Sequence, residues 1–400
     1  MSTYQSGEIV QWVQAHEREL LRIRHALHQN PELGHQEHET TQLIKDTLVR
    51  LGAELLPGQY QTGAAALIRG TGEGPLLGIR ADIDALPIQE RTGLDFSSRR
   101  AGVSHACGHD IHTAALLGCV QYLSEHTADF SGRVMAVFQC AEECCDGAAA
   151  MLEAGLFQRG TPDFLLGFHC APSLPLNTAG VCQGPSNASC DTVSIRIKGR
   201  GGHGAHPEDC VDPIVIAAYM LTQLQTIISR ERAPMQPSVL TFGSINGGSA
   251  PNVIPDEVVL QGTLRTFDQA AREHHKEAIQ RIASQCGQAM NGTCTVTFTK
   301  GIPPLVNSQD GCELVVRAAA EVLGEEHVSQ ELTPSMGSDD FSCLLEACGG
   351  KGVQYLFGTR SPEIPNSGLG LHVGENIFPD AAVPMASAVL IQAALNYLKR

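Results

Sequence analysis

The chain has 400 residues, 42 % of them hydrophobic and 18 % charged, with 41 glycines and 21 prolines; this excludes a disordered, collagen-like or coiled-coil protein and leaves length for two or three domains. Lys+Arg 27 against Asp+Glu 43 gives a net charge of −16, so nucleic-acid backbones and anionic membrane surfaces are repelled on average and a small molecule is the expected partner. No apolar run reaches the roughly 18 residues of a membrane span, the opening MSTYQSGEIVQWVQAHEREL does not read as a leader, and 14 scattered cysteines point to reduced thiols, so a cytoplasmic location is expected.

From the start to Arg50, apolar residues recur at helical spacing (Val10, Val13, Leu20, Leu21, Leu27, then Leu43 and Leu48) with breaks at Asn30-Pro31 and Leu33-Gly34, which predicts two helices and a turn. From Ala64 the runs AAALIRG, PLLGIRADIDALPI, TAALLGCVQYL, RVMAVFQCAEE and DFLLGFHCAP follow one another. Near-continuous apolar strands separated by helices are what a sheet covered on both faces requires, so an α/β domain with a largely parallel sheet is expected. After Gly180 the rhythm changes. Strands at 193–199, 239–245, 258–266 and 295–300, with helices from Pro213 to Arg230 and near 268–290, give the order β-α-β-β-α-β of a ferredoxin-like unit. Asp212 is positioned to cap the first of those helices with Pro213 at its first position, and Ile214, Ala217, Ala218, Leu221 and Leu224 are expected as its buried stripe. A helix near 312–323, a strand in VQYLFG and a closing helix in PMASAVLIQAALNYL return to α/β. Residues 1–184 and 301–400 are thus expected to form one domain into which 185–300 is inserted.

The densest set of metal-capable side chains is His105-Ala106-Cys107-Gly108-His109-Asp110-Ile111-His112. A thiolate and an imidazole flanking a glycine can face one cation and suit zinc or its neighbours; the competing reading is a turn entering a helix, its histidines solvated or bonded to backbone. Glu142 and Glu143 sit where an apolar strand emerges and repel each other unless a cation lies beside them. One could ligate while the other handles protons; otherwise they are a solvated loop pair. Strand ends are where open α/β sheets bind ligands, and Asp82, Asp84 and His169 fall at similar ends, with His372 late in the chain. The glycine-rich stretch 199–204 lacks the helix and acid of a dinucleotide site. There is no G-x-x-x-x-G-K-[ST], H-E-x-x-H or G-x-S-x-G.

Taken together, LHQNPELGHQEHET, RADIDALPI, HACGHDIHTA, QCAEE, GFHCAP, GRGGHGAHP, PNVIPDEVVLQGTLRT, MGSDDFS and the late LH resemble the M20 metallopeptidases, within them the amidohydrolase branch of hippurate hydrolases, aminoacylases and auxin-conjugate hydrolases. The resemblance spans nearly the whole chain. It implies a zinc-peptidase-like catalytic domain holding two divalent ions on Cys107, His109, Glu143, His169 and His372, with Cys107 bridging. It implies Glu142 as general base and Asp82 orienting a ligand imidazole. It makes the inserted unit a lid and homodimerisation domain whose His203 reaches the partner subunit's active site and stabilises an oxyanion. Asn252 and Arg265 match carboxylate or oxyanion contacts; on local grounds Asn252 also fits a plain turn and Arg265 a solvated edge strand.

The chain departs from the family's Q-P-A-E-E and glycine-rich turn with Cys140 and Cys144-Cys145-Asp146-Gly147, and has Asp339-Asp340 in place of Glu-Asp. These changes bear on substrate choice rather than on the ligands, and the thiols also read as small buried hydrophobes. The expected activity is metal-dependent cleavage of the amide of an N-acyl or N-aroyl amino acid or related conjugate. Hydrolytic deamination of a small amino compound and a non-catalytic binding homologue are the alternatives. Thiolate and imidazole favour zinc; manganese, cobalt and nickel also accept mixed N/O/S sites.

Overall fold

Four strands buried on both faces along most of their length form the centre of the first unit: Arg133–Gln139, Leu76–Asp82, Phe164–Pro175 and Gly352–Arg360, mutually parallel in that order. All seven residues of Leu76–Asp82 are buried, which is why its sequence shows no polar alternation. The computed structural model describes residues 6–330 and 332–399; the first five residues of the opening segment, Glu331 and Arg400 lie outside them. Antiparallel pieces extend the sheet on both sides, Glu54–Leu55 and Ala64–Arg69 on one and Ala179–Gly180 with Val328–Ser329 on the other, for eight strands in all. The sheet is therefore mixed and largely parallel.

Helices Ser6–Gln29, His109–Glu125 and Ala382–Leu398 pack on one another and on the sheet. Ala382–Leu398 is apolar almost all round and is buried accordingly, whereas Ser6–Gln29 buries one stripe. Both opening helices form at the expected places, Ser6–Gln29 and His38–Arg50. The short helices Gly147–Glu153 and Phe341–Ala347 are additions that the apolar pattern alone did not announce. The unit comprises residues 1–184, 306–333 and 339–400. No helix among the described residues is long and apolar enough to cross a membrane.

The second unit, residues 185–305 with 334–338, has its own core. Its sheet runs Ser238–Asn246, Glu257–Thr266, Cys190–Lys198, Thr293–Ile302, every neighbour antiparallel, with helices Pro213–Arg230 and Gln269–Ala289 in the β-α-β-β-α-β order. Asp212 caps the first helix, accepting from the Ile214 and Val215 amides. The buried stripe of that helix is a correction: Ile216, Ala217, Met220, Leu224 and Ile227 face the core, while Ile214 is 44 % exposed and Ala218 is also outside. Apolar residues occur on every side of this helix, so periodicity alone left its rotation open.

Candidate metal centre

The parallel register sets the candidate residues at one level. Asp82 pairs with Gln139, and Arg80 with Gly167, so His169 lies two residues beyond that pair, level with Asp82. The acid pair follows Gln139 after two residues, Cys140 and Ala141. Its backbone is held from two sides: Glu37 accepts from the Ala141 amide at 2.7 Å and Asp84 from the Glu143 amide at 3.0 Å. Ala141 adopts φ 50°, an uncommon left-handed setting for a residue with a side chain.

Gly108 ends the Cys107 turn with φ 87° and starts the helix that carries His109. A Cβ there would also stand 3.1 Å from Cys170, so glycine is required twice over. His372 arrives from the far end of the chain with φ 61°, its amide bonded to the Ala106 carbonyl at 2.9 Å.

These segments bring together two three-residue groups, Cys107-His109-His169 and Cys107-Glu143-His372, each with its donor atoms within 4.8 Å of one another. Cys107 belongs to both. Its Sγ is 3.5 Å from His169 Nε2, and Glu143 Oε1 is 3.2 Å from His372 Nε2 and 3.9 Å from His109 Nε2. His109 donates its Nδ1 hydrogen to the Asp84 carbonyl at 2.9 Å, and His169 donates Nδ1 to the Cys170 carbonyl at 2.8 Å. Each imidazole is thereby fixed with Nε2 as the free nitrogen, the arrangement that metal-ligating histidines require.

Asp82, expected to orient a ligand imidazole, lies 3.6 Å from His109 Nε2. Its carboxylate accepts from His112 Nδ1 and from Arg80, while His109 is oriented by Asp84. His112 is neutral, burial pushing it down to about 4 against the pull of Asp82, and its Nε2 accepts from the Cys170 amide. Asp84, which holds both His109 and the Glu143 backbone, was visible in the sequence only as another strand-end acid.

Charge in this interior is unbalanced. Arg80, 1 % exposed, is the guanidinium facing Asp82, Asp339 and Asp340, with Glu142 nearby. Burial, with Asp339, Glu143, Asp340 and Asp82 around it, drives Glu142 well above the usual carboxylate range. Burial lifts Asp340 to about 8 despite Arg80. His109 rises to about 10: burial opposes its charge, but Asp82, Asp84 and Glu143 prevail. Glu143 goes the other way, held low by His372 and His109 against its own burial. The Cys107 thiol is pushed far up by burial and by Glu143, Glu142 and Asp82, so a thiolate here needs a cation beside it. His109 Nε2 and Glu143 Oε1 are buried without a hydrogen-bond partner. Orphaned donor atoms and surplus negative charge in one place fit a pair of divalent ions.

The remaining candidates belong to the second unit. His203 pairs with Val253 across a two-residue ladder, and the Asn252 carbonyl accepts from the Gly204 amide at 2.8 Å, so His203 and Asn252 are neighbours, both exposed. His203 Nδ1 accepts from the Ala205 amide. Arg265 lies on an interior strand, not a solvated edge, and donates to the Met336 carbonyl at 2.9 Å.

The family model for peptidase family M20/M25/M40 matches residues 78–395. An N-acetyl-L-cysteine deacetylase of Bacillus subtilis is 42 % identical over 82 % of this chain and 78 % of its own. A hippurate hydrolase of Campylobacter jejuni is 34 % identical over 95 % and 97 %. The crystal structure of the Bacillus subtilis YXEP protein, a dinuclear metal-binding peptidase of the M20 family, superposes with a TM-score of 0.83 at 32 % identity, covering 96 % of this chain and 99 % of the other.

Proposed function

The chain belongs to peptidase family M20/M25/M40, and from that membership we propose that it is a two-metal amidohydrolase releasing an amino acid and a carboxylic acid from an N-acyl or N-aroyl amino acid. The observation that carries the reading is the sharing of Cys107 between two three-donor groups. His109 and His169 would be the other donors of one ion, Glu143 and His372 of the second. Ions held there would supply Lewis acidity toward the amide carbonyl and a nucleophilic water at neutral pH. Zinc is favoured by the thiolate and imidazoles, with manganese next and cobalt or nickel accepted.

Glu142 and Glu143 are neighbouring carboxylates driven in opposite directions, the pattern that separates an acid/base from a ligand. Glu142 takes the proton from the attacking water and delivers it to the departing amine nitrogen. His203 supplies a hydrogen bond to the tetrahedral oxyanion, and Asn252 and Arg265 position the substrate carboxylate, a planar group that suits the guanidinium fork. Since His203 serves the partner subunit's site, the active species is a homodimer joined through the second unit. Exposed Ile214, Val215 and Tyr219 on the helix Pro213–Arg230 support that contact. The enzyme works in the cytoplasm.

The acyl-amino-acid substrate class is drawn from the relatives named above and from the net negative charge, which leaves a small molecule as partner. The test is a panel of N-acetyl and N-benzoyl amino acids with the zinc- or manganese-loaded protein, assaying free amino acid and carboxylic acid together. Equimolar release of both is expected. Ammonia without acid release, or saturated metal with no turnover across the panel, would overturn the reading.

A further inference from the structure

We propose that His35, Cys144 and Asp146 form a separate, solvent-facing site for one divalent cation of the zinc class. His35 Nε2 is 2.7 Å from Asp146 Oδ1, and one donor atom from each of the three residues lies within 4.8 Å of the others. An imidazole, a thiol and a carboxylate are the donor set that zinc accepts, with three protein ligands leaving a fourth position for water. Entry of an ion replaces the His35–Asp146 hydrogen bond and widens that pair to the roughly 3.3–3.8 Å edge of a zinc tetrahedron. His35 and Asp146 side chains are 47 % and 57 % exposed, so the cation reaches them from solvent.

The local backbone is shaped to bring these donors together. Gly34 runs so close to the thiol that a Cβ there would stand 2.6 Å from Cys144 Sγ and 3.2 Å from the Ala141 backbone. Any side chain at 34 would push the turn bearing His35 away from Cys144. His35 and Cys145 both hold left-handed φ, 64° and 62°, a conformation that costs a non-glycine residue energy and persists only where surrounding structure imposes it. Cys144, Cys145 and Asp146 are also where the sequence leaves the family pattern around the acid pair. An ion here ties the turn at 33–36 to the segment carrying Glu142 and Glu143, so occupancy stiffens the loop beside the catalytic centre without using any of its ligands. Binding releases the Cys144 thiol proton to the buffer.

Equilibrium dialysis of the full-length protein against buffered free zinc, followed by elemental analysis, tests this with His35→Ala and Cys144→Ser beside the natural chain. Each variant should bind one ion fewer per chain, and the zinc-dependent rise in melting temperature above catalytic stoichiometry should disappear. The difference counts the surface site whatever number the catalytic centre holds, so a failure of the two-metal reading would change all totals alike. Equal totals in the three proteins overturn the proposal, as does a loss confined to Cys144→Ser, because disturbance of Glu143 next door would produce it. Where Cys144→Ser does not fold, Asp146→Asn takes its place with the same expectation.

Discussion

Near the strand ends of the first unit Cys107, His109 and Glu142 are 5 %, 0 % and 6 % exposed, and residues far away in sequence hold the backbone and rings there while His109 Nε2 and Glu143 Oε1 stay bare. In the second unit His203, on a ladder of two residues, and Asn252, just before its partner strand, stand exposed and are held by short local hydrogen bonds. The contrast separates two physical tasks. Holding bare donors and excess charge together demands a rigid, desolvated frame, because each unpaired buried group costs free energy that only packing can offset. Meeting a substrate demands side chains that can be approached, which loops on a scaffold provide.

That contrast can be broken by experiment. The largest effect is expected from Glu142→Gln: hydrolysis falls by roughly 10²–10⁴-fold while elemental analysis still finds the ions. A fully active variant would remove Glu142 from the mechanism. His203→Ala should lower kcat by roughly 10²–10³-fold with metal content unchanged; a loss of metal instead would show that the second unit helps build the centre.

A third test concerns the frame itself. His28, buried against Asp110 and Glu90, is lifted from 6.5 to about 9 even though burial opposes its charge. Because the folded pKa is raised, this stabilisation is complete below pH 6.5 and is lost as pH climbs through about 9, on the order of 3 kcal/mol at most. Urea unfolding at stepped pH should record the decline, and His28→Gln should flatten it. Asp84→Ala should weaken metal affinity by about 10–100-fold in a chelator competition, since it frees the Glu143 amide from the Asp84 carboxylate while the His109 ring keeps its bond to the backbone carbonyl at 84. The smallest effect separates the two faces of one helix: Ile216→Val costs about 0.5–1.5 kcal/mol, whereas Ile214→Val leaves chain stability within about 0.5 kcal/mol.

Strands of the first unit were legible because burial on both faces leaves runs such as LLGIRAD without polar interruption. The metal-capable residues were legible because strand ends in a parallel sheet gather at one edge, so separate clusters point to one place. What connects them was not. Glu37 reaches Ala141, and Arg80 reaches Asp339 and Asp340 across some 260 positions, and such pairings depend on strand order that no local pattern encodes. The same reason hid Asp84 as the holder of His109. The rotation of Pro213–Arg230 failed differently: with Ile214, Val215 and Tyr219 exposed beside a buried stripe, apolarity alone could not say which side faces inward.

His372 lies beyond the entire second unit, and the strand Gly352–Arg360 pairs with Phe164–Pro175 from the opposite side of that insertion. During synthesis the ribosome therefore delivers Cys107, His109, Glu143 and His169 long before their last companion. On the proposed ligand set, the centre of a nascent chain lacks one donor until residue 372 emerges, about 200 positions after His169, and any cation that settles earlier does so without it. On that ligand set, hydrolytic competence waits for the segment that follows the second unit, a timing written into the order of the segments.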